Sequence, residues 1–180
     1  MRKALLADDD FLVRSYLKML SSWEKAGFEI TADVRDGEEA LEVLDREKID
    51  LVVTDIAMPL MDGIELIREI RRKYPDIYVI VLSCHDEFEY VKKAMKEGAD
   101  EYVLKNTLNE ESLYTVLEAA EEHIRQSKEE AGVKDQKQQT QEHADMKKDP
   151  EEDNNADADG KTGEKSDQTG NMNEKFLFFN

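Results

Sequence analysis

The chain has a single cysteine, Cys84, among its 180 residues. One cysteine excludes an internal disulfide and suits a reducing compartment. No run of eighteen apolar residues occurs, and the opening MRKALLADDD turns acidic after four apolar residues, too few for the core of a signal peptide. A soluble cytoplasmic protein, away from any membrane, is expected. Basic charge is also scarce: the formal net charge is -18. The acidic excess is spread over both parts of the chain, with 17 Lys+Arg against 29 Asp+Glu up to residue 125 and 8 against 14 beyond it. Nothing resembles the basic stripe that duplex DNA demands, so direct nucleic-acid binding by this chain is not expected. From Gln126 to Lys175 the only large apolar residues are Val133, Met146 and Met172. Such a segment cannot offset its ordering entropy. The expected division is a domain over residues 1–125 and an acidic, low-complexity, disordered tail over 126–180.

The first part alternates short apolar runs with helical patterns. KALLA (3–7), FEITADV (28–34), DLVVTD (50–55), IYVIVLS (77–83) and EYVLK (101–105) read as strands buried on both faces. Between them the apolar period becomes helical: Leu12, Tyr16, Met19, Leu20 and Trp23; Leu41, Val43 and Leu44; Ile64, Ile67 and Ile70; Phe88, Val91 and Met95; and Leu113, Val116, Leu117, Ala120 and Ile124. These five stripes are expected to be core. Asp36 with Glu39, Asp62 with Glu65 and Asp86 with Glu89 fit aspartate N-caps with a reciprocal glutamate. Gly98 fits a left-handed helix end, and Pro75 ends the third helix. Five strands alternating with five helices, joined by right-handed crossovers, make an α/β fold with a doubly wound parallel sheet in the order 2-1-3-4-5.

In such a sheet, ligands bind beyond the carboxyl ends of the strands, where the winding reverses between strands 1 and 3. Polar residues gather there: Asp8, Asp9 and Asp10 after strand 1, Asp55 after strand 3, Ser83 after strand 4 and Lys105 after strand 5. Asp10 is set apart as the cap of the first helix. Crowded carboxylates raise one another's pKa unless a cation neutralises them, and a hard cation with oxygen ligands such as Mg²⁺ fits this set. Lys105 adds a point charge for a phosphoryl oxygen and Ser83 a hydrogen bond. A metal, a lysine and a hydroxyl around one carboxylate describe a site at which Asp55 attacks phosphorus and becomes an acyl phosphate.

The stretches LLADDDFLVR, DLVVTDIAMPLMDGIELIREIR and VIVLSCHDEFEYVKKAMKEGADEYVLK resemble the receiver domain of two-component response regulators over residues 2–125. WEKAGFEI and HDEFEYVKKAM are most similar to receivers that precede AraC-type DNA-binding domains. The resemblance implies a flavodoxin-like fold with Asp55 as phospho-acceptor. It also implies Mg²⁺ held by Asp8, Asp9, Asp55 and the backbone carbonyl of Ala57. Ser83 and Lys105 would contact the phosphoryl group, and Ser83 and Tyr102 would form the switch. The output face would be built by the fourth and fifth helices and the strand between them, and the implied partners are a sensor histidine kinase and, after phosphorylation, a second copy of the chain. One position departs from the pattern: receivers usually have proline after the lysine, often with a cis bond, and Asn106 stands here. A non-proline cis bond costs about 3–4 kcal/mol, so a trans bond with a different loop and a strained cis bond are the two options.

No helix-turn-helix pattern follows residue 125, so the expectation is a stand-alone or C-terminally truncated regulator without a DNA-binding domain. The closing EKFLFFN is either a docking peptide or a chance end. Two other readings remain open. A pseudo-receiver would bind a partner constitutively without taking phosphate. A phosphohydrolase on the same sheet would usually have a second aspartate two residues after the first, where this chain has Ala57, so no turnover of an external substrate is expected.

Overall fold

A computed structural model describes the backbone of residues 1–84 and 88–145 and the side chains up to residue 130 in those stretches. Met1–Thr140 form one compact unit that contains the whole sheet.

Five strands, β1 (Arg2–Ala7), β2 (Phe28–Val34), β3 (Leu51–Thr54), β4 (Tyr78–Ser83) and β5 (Glu101–Leu104), form one parallel sheet in the order β2-β1-β3-β4-β5. Alternate residues of each strand feed two cores, as the period of two demands. Leu5, Ala7, Val52, Val79 and Val81 face α3 (Gly37–Arg46), α4 (Gly63–Lys73) and α5 (Phe88–Glu97). Ala4, Leu6, Leu51, Val53, Ile80 and Leu82 face α1 (Phe11–Met19), α2 (Ser22–Lys25) and α6 (Glu110–Asp145). No helix among the described residues is long and apolar enough to cross a membrane.

The caps behave as their sequence demands. Asp10 accepts from the Leu12 N–H and starts α1; Asp36 accepts from Glu39 N–H and starts α3. Asp62 and Glu65 form a complete capping box at α4. Asp86 lies outside the described residues. Gly98 has φ 106°, the left-handed position its place after α5 required.

Three helical expectations are corrected. The first apolar stretch is two helices, and α1 presents Leu17 and half-buried Val13 to the sheet, leaving Leu12, Tyr16 and Met19 exposed, Met19 at 84%. Two apolar stripes one residue apart, 12/16/19 and 13/17/20, fit the helical period equally; ion pairs from Arg14 and Lys18 to Asp33 fix the rotation. On α5 the core contact is Ala94, with Val91 half-buried, while Phe88 (72% exposed) and Met95 face outward. Finally, α6 does not end near residue 125 but runs to Asp145. Its apolar stripe stops at Ile124, and beyond it residues rich in Lys, Glu, Gln and Ala sustain the helix by propensity and pairs such as Arg125–Glu129. Residues 146–180, with the FLFF segment, lie outside the described residues.

Candidate functional site: a lysine bridging two buried carboxylates

Four strand ends converge at one edge of the sheet. Asp8 follows β1, where its N–H donates to the Val34 carbonyl and its Oδ1 accepts from the Asp10 N–H (3.0 Å). Asp55 follows β3, where its N–H donates to the Ala7 carbonyl. Both carboxylates are buried, at 3% and 7% exposure. One Asp55 oxygen accepts from the Ile56 N–H (2.6 Å), which leaves the other to face the pocket. Lys105 fills the space between: its Nζ lies 2.8 Å from Asp55 Oδ2 and 2.7 Å from Asp8 Oδ2. Asp9 completes the group from the exposed rim, and Asp8, Asp9 and Asp55 each offer an oxygen within 4.8 Å of the others.

One ammonium shared by two carboxylates does not balance the site. Burial pushes the Asp8 carboxyl above its ordinary 3.8, against the hydrogen bond and charge of Lys105, and the Asp55 charge adds to the rise. Burial works against the Lys105 ammonium too, but the hydrogen bonds and charges of Asp55 and Asp8 outweigh it and hold the lysine above its ordinary 10.5. The pocket therefore favours additional positive charge, and its donors are all carboxylate oxygens, the set a hard cation prefers. The residues present fit Mg²⁺: Asp8, Asp9 and Asp55 would hold it, with room for water and phosphate oxygens.

The expected site residues thus fall into two groups. Asp8, Asp9, Asp55 and Lys105 are brought into contact. Ser83, Tyr102 and Ala57 are placed by strand and loop position. Ser83 is fully buried as the last residue of β4 and pairs in register with Leu104, the neighbour of Lys105. Tyr102 is half-buried two pairs back, opposite Val81, and packs on the same core face. Ala57 lies exposed in the loop after β3. All peptide bonds of the described residues are trans. Asn106 therefore follows Lys105 in a short 3₁₀ turn, Lys105–Thr107, and the lysine still reaches both carboxylates.

Two supporting residues escaped the sequence reading. Gly63, the first residue of α4, approaches the backbone of Asp55 so closely that a Cβ would stand 1.9 Å from its carbonyl oxygen. Its signal was present: a glycine directly after the Asp62 cap and eight residues from Asp55. Thr54 is buried and its hydroxyl donates to that same Asp55 carbonyl (2.9 Å).

The chain is similar to known proteins. The response regulator receiver domain family matches residues 4–118. The chain is 39% identical over 118 residues to the uncharacterized transcriptional regulatory protein YesN of Bacillus subtilis (strain 168), covering 66% of this chain and 32% of that protein. It is 40% identical over 101 residues to the transcriptional regulatory protein DegU of Brevibacillus brevis, covering 56% of this chain and 42% of that one. The chain thus spans less than half the length of either relative. Among solved structures, the REC domain of AraT, a response regulator from Geobacillus stearothermophilus, superposes with a TM-score of 0.64 at 34% identity, covering 71% of this chain and 98% of that one. A DNA-binding response regulator of the LuxR family from Staphylococcus aureus gives 0.59 at 31% identity, with 67% and 99% covered. On the match over residues 4–118, carried by the fold and the acidic strand ends together, the chain belongs to the response regulator receiver domain family.

Proposed function

We propose that the chain is a phospho-accepting response regulator that takes a phosphoryl group onto Asp55, in the presence of Mg²⁺, from the phosphohistidine of a sensor histidine kinase in the cytoplasm. The observation that carries this reading is the Lys105 ammonium held between Asp8 and Asp55, with Asp9 alongside. That is a pocket with one carboxylate oxygen turned toward an incoming phosphorus and a cation beside it.

In the transfer, Asp55 Oδ2 forms a bond to phosphorus as the phosphorus–nitrogen bond of the donor breaks, and the released imidazole takes up a proton. Lys105 exchanges its contact with free Asp55 for one with a phosphoryl oxygen, so charge that balanced a carboxylate comes to balance a phosphate. Bound Mg²⁺ supplies further positive charge to the phosphoryl oxygens. The Ile56 N–H fixes the other Asp55 oxygen throughout. Hydrolysis by water returns the carboxylate, so the protein catalyses only its own phosphorylation and dephosphorylation.

The Ser83 hydroxyl would close on the new phosphoryl oxygens, and Tyr102, on the same sheet face, would move into the space it leaves, shifting a two-state equilibrium of the α5–β5–α6 surface. That surface would then pair with a second copy of the chain. The relatives are named as transcriptional regulators; in such a protein this unit would be the signal input, and contact with nucleic acid is not assigned to it.

The test is intact mass after incubation with acetyl phosphate and Mg²⁺. A single phosphoryl adduct on the wild type and none on Asp55→Asn supports the proposal. No adduct on either protein leaves constitutive binding by a pseudo-receiver, and multiple turnover of a phosphoester without an adduct indicates a hydrolase.

A further inference from the structure

Arg14 on α1 donates to the backbone of an acidic-pocket residue. Its Nη1 donates to the Asp8 carbonyl oxygen at 2.5 Å, and its Nε donates to Asp33 Oδ2 at 3.0 Å near the end of β2. Its side chain is 12% exposed, and its guanidinium carbon lies 5.8 Å from the centre of the Phe11 ring. The Asp8 carbonyl belongs to the peptide joining Asp8 to Asp9. Fixing that oxygen fixes the plane of the peptide and the position of the Asp9 Cα, so fewer backbone torsions are left to set where the Asp9 carboxylate goes. The same short segment is held from the other side by the Asp10 N–H bond to Asp8 Oδ1.

From this geometry we infer that Arg14 is a positioning residue for the cation-binding pair: it clamps the Asp8–Asp9 peptide to Asp33 so that both carboxylates are aimed into the pocket before the cation arrives. The inference rests on the reading of the pocket as an Mg²⁺ site. Arginine suits the task because its planar fork presents two N–H groups in fixed relative directions, one for the carboxylate and one for the carbonyl. Lysine at the same place could keep the charge and the Asp33 pair without holding both. Lys18 provides the internal comparison, since its Nζ also meets Asp33, at Oδ1 and 2.7 Å, without reaching Asp8.

Electrostatics and positioning make opposite predictions here. Removing a positive charge beside an acidic pocket strengthens cation binding if charge is all that matters. Removing a clamp weakens it, and outer partners of metal ligands typically contribute tenfold or more in affinity. The experiment is calorimetric titration of Mg²⁺ into the full chain as wild type, Arg14→Lys, Arg14→Gln and Lys18→Ala, with the thermal midpoint of each measured in metal-free buffer. The proposal expects Arg14→Lys and Arg14→Gln to lose about tenfold in affinity, with Arg14→Lys keeping a midpoint near that of the wild type. Lys18→Ala should bind as the wild type does or slightly more tightly. Wild-type affinity or tighter binding in Arg14→Lys overturns the clamp, as does an equal loss in Lys18→Ala. If Arg14→Gln does not fold, Arg14→Lys decides alone. Absence of Mg²⁺ binding by the wild type overturns the reading of the pocket itself, a result distinct from failure of the clamp.

Discussion

Gly63 stands against Asp55: a methyl group placed on it would lie 1.9 Å from the Asp55 carbonyl oxygen and 2.9 Å from its carbonyl carbon. The Gly63 N–H donates to the Ile56 carbonyl at 2.9 Å, so α4 begins directly beneath the loop that carries the candidate nucleophile. Because the obstruction is backbone, no rotamer change relieves it. Gly63→Ala should cost about 2–3 kcal/mol, at the upper end for overpacked sites, read from the denaturant midpoint. It should also slow formation of the phosphoryl adduct. Wild-type stability in this variant would contradict the close approach.

Among the described residues, Lys105 is the cation that pairs with both buried carboxylates. Lys105→Met should lower the stability of the metal-free protein by about 3 kcal/mol at neutral pH, the range for breaking a buried pair from one side. Added Mg²⁺ should then raise its thermal midpoint by more than it raises that of the wild type, because the cation meets no resident ammonium. Equal shifts in the two proteins would show that the lysine and the metal do not compete.

The acid limb of stability should follow Asp33 and Asp50. Asp33 is held below its ordinary 3.8 by the hydrogen bond from Lys18, against its burial and with the help of Arg14. For Asp50 burial acts upward, but bonds from Lys128 and the Lys3 N–H outweigh it. A carboxylate with a depressed folded-state pKa contributes stability that is present above the unfolded value and lost as pH falls through the folded one. Asp8 acts with the opposite sign: its value is raised, so the folded state takes up the proton first, and metal-free protein gains from Asp8 as pH falls through that value. Denaturant midpoints below pH 4 should therefore fall less steeply for Asp33→Asn than for the wild type; parallel curves would contradict the assignment.

Arg71 ties three segments together on the side of the sheet that carries α4. Its guanidinium donates to the carbonyls of Gly98 (2.7 Å) and Ile77 (2.5 Å) and to Asp100 Oδ2 (2.5 Å), which also accepts from the Val79 N–H (2.7 Å). Arg71→Ala should cost about 2–3 kcal/mol through the unsatisfied acceptors it leaves, with the fastest gain in amide hydrogen exchange at the turn between α5 and β5. Uniform exchange across the sheet would count against this local role.

The strands and the acidic pocket were legible in the sequence for one shared reason. Buried parallel strands are continuous apolar runs, so the polar residues ending them, Asp8, Asp55, Ser83 and Lys105, stand out. Rotation of the surface helices was less legible. In α1 the stripes through Leu12 and Leu17 have the same period, and only the tertiary contacts of Arg14 and Lys18 with Asp33 choose between them. In α5 small Ala94 makes the buried contact while larger Phe88 lies outside, so ranking residues by hydrophobicity selected the wrong face. Gly63 was passed over although its spacing from Asp55 was visible, because a helix start tolerates many residues and the need for glycine comes from Asp55 across the loop. The reach of α6 to Asp145 escaped because apolar periodicity reports packing, whereas that segment has only local helix propensity.

The central claim is that Asp55 becomes an acyl phosphate. Borohydride cleaves such an anhydride reductively and converts the aspartate to homoserine. The full chain, treated with acetyl phosphate and Mg²⁺, reduced and peptide-mapped, should contain homoserine at position 55 and only when Mg²⁺ is present. Homoserine at another aspartate, or none after an adduct has been seen by intact mass, would contradict the account.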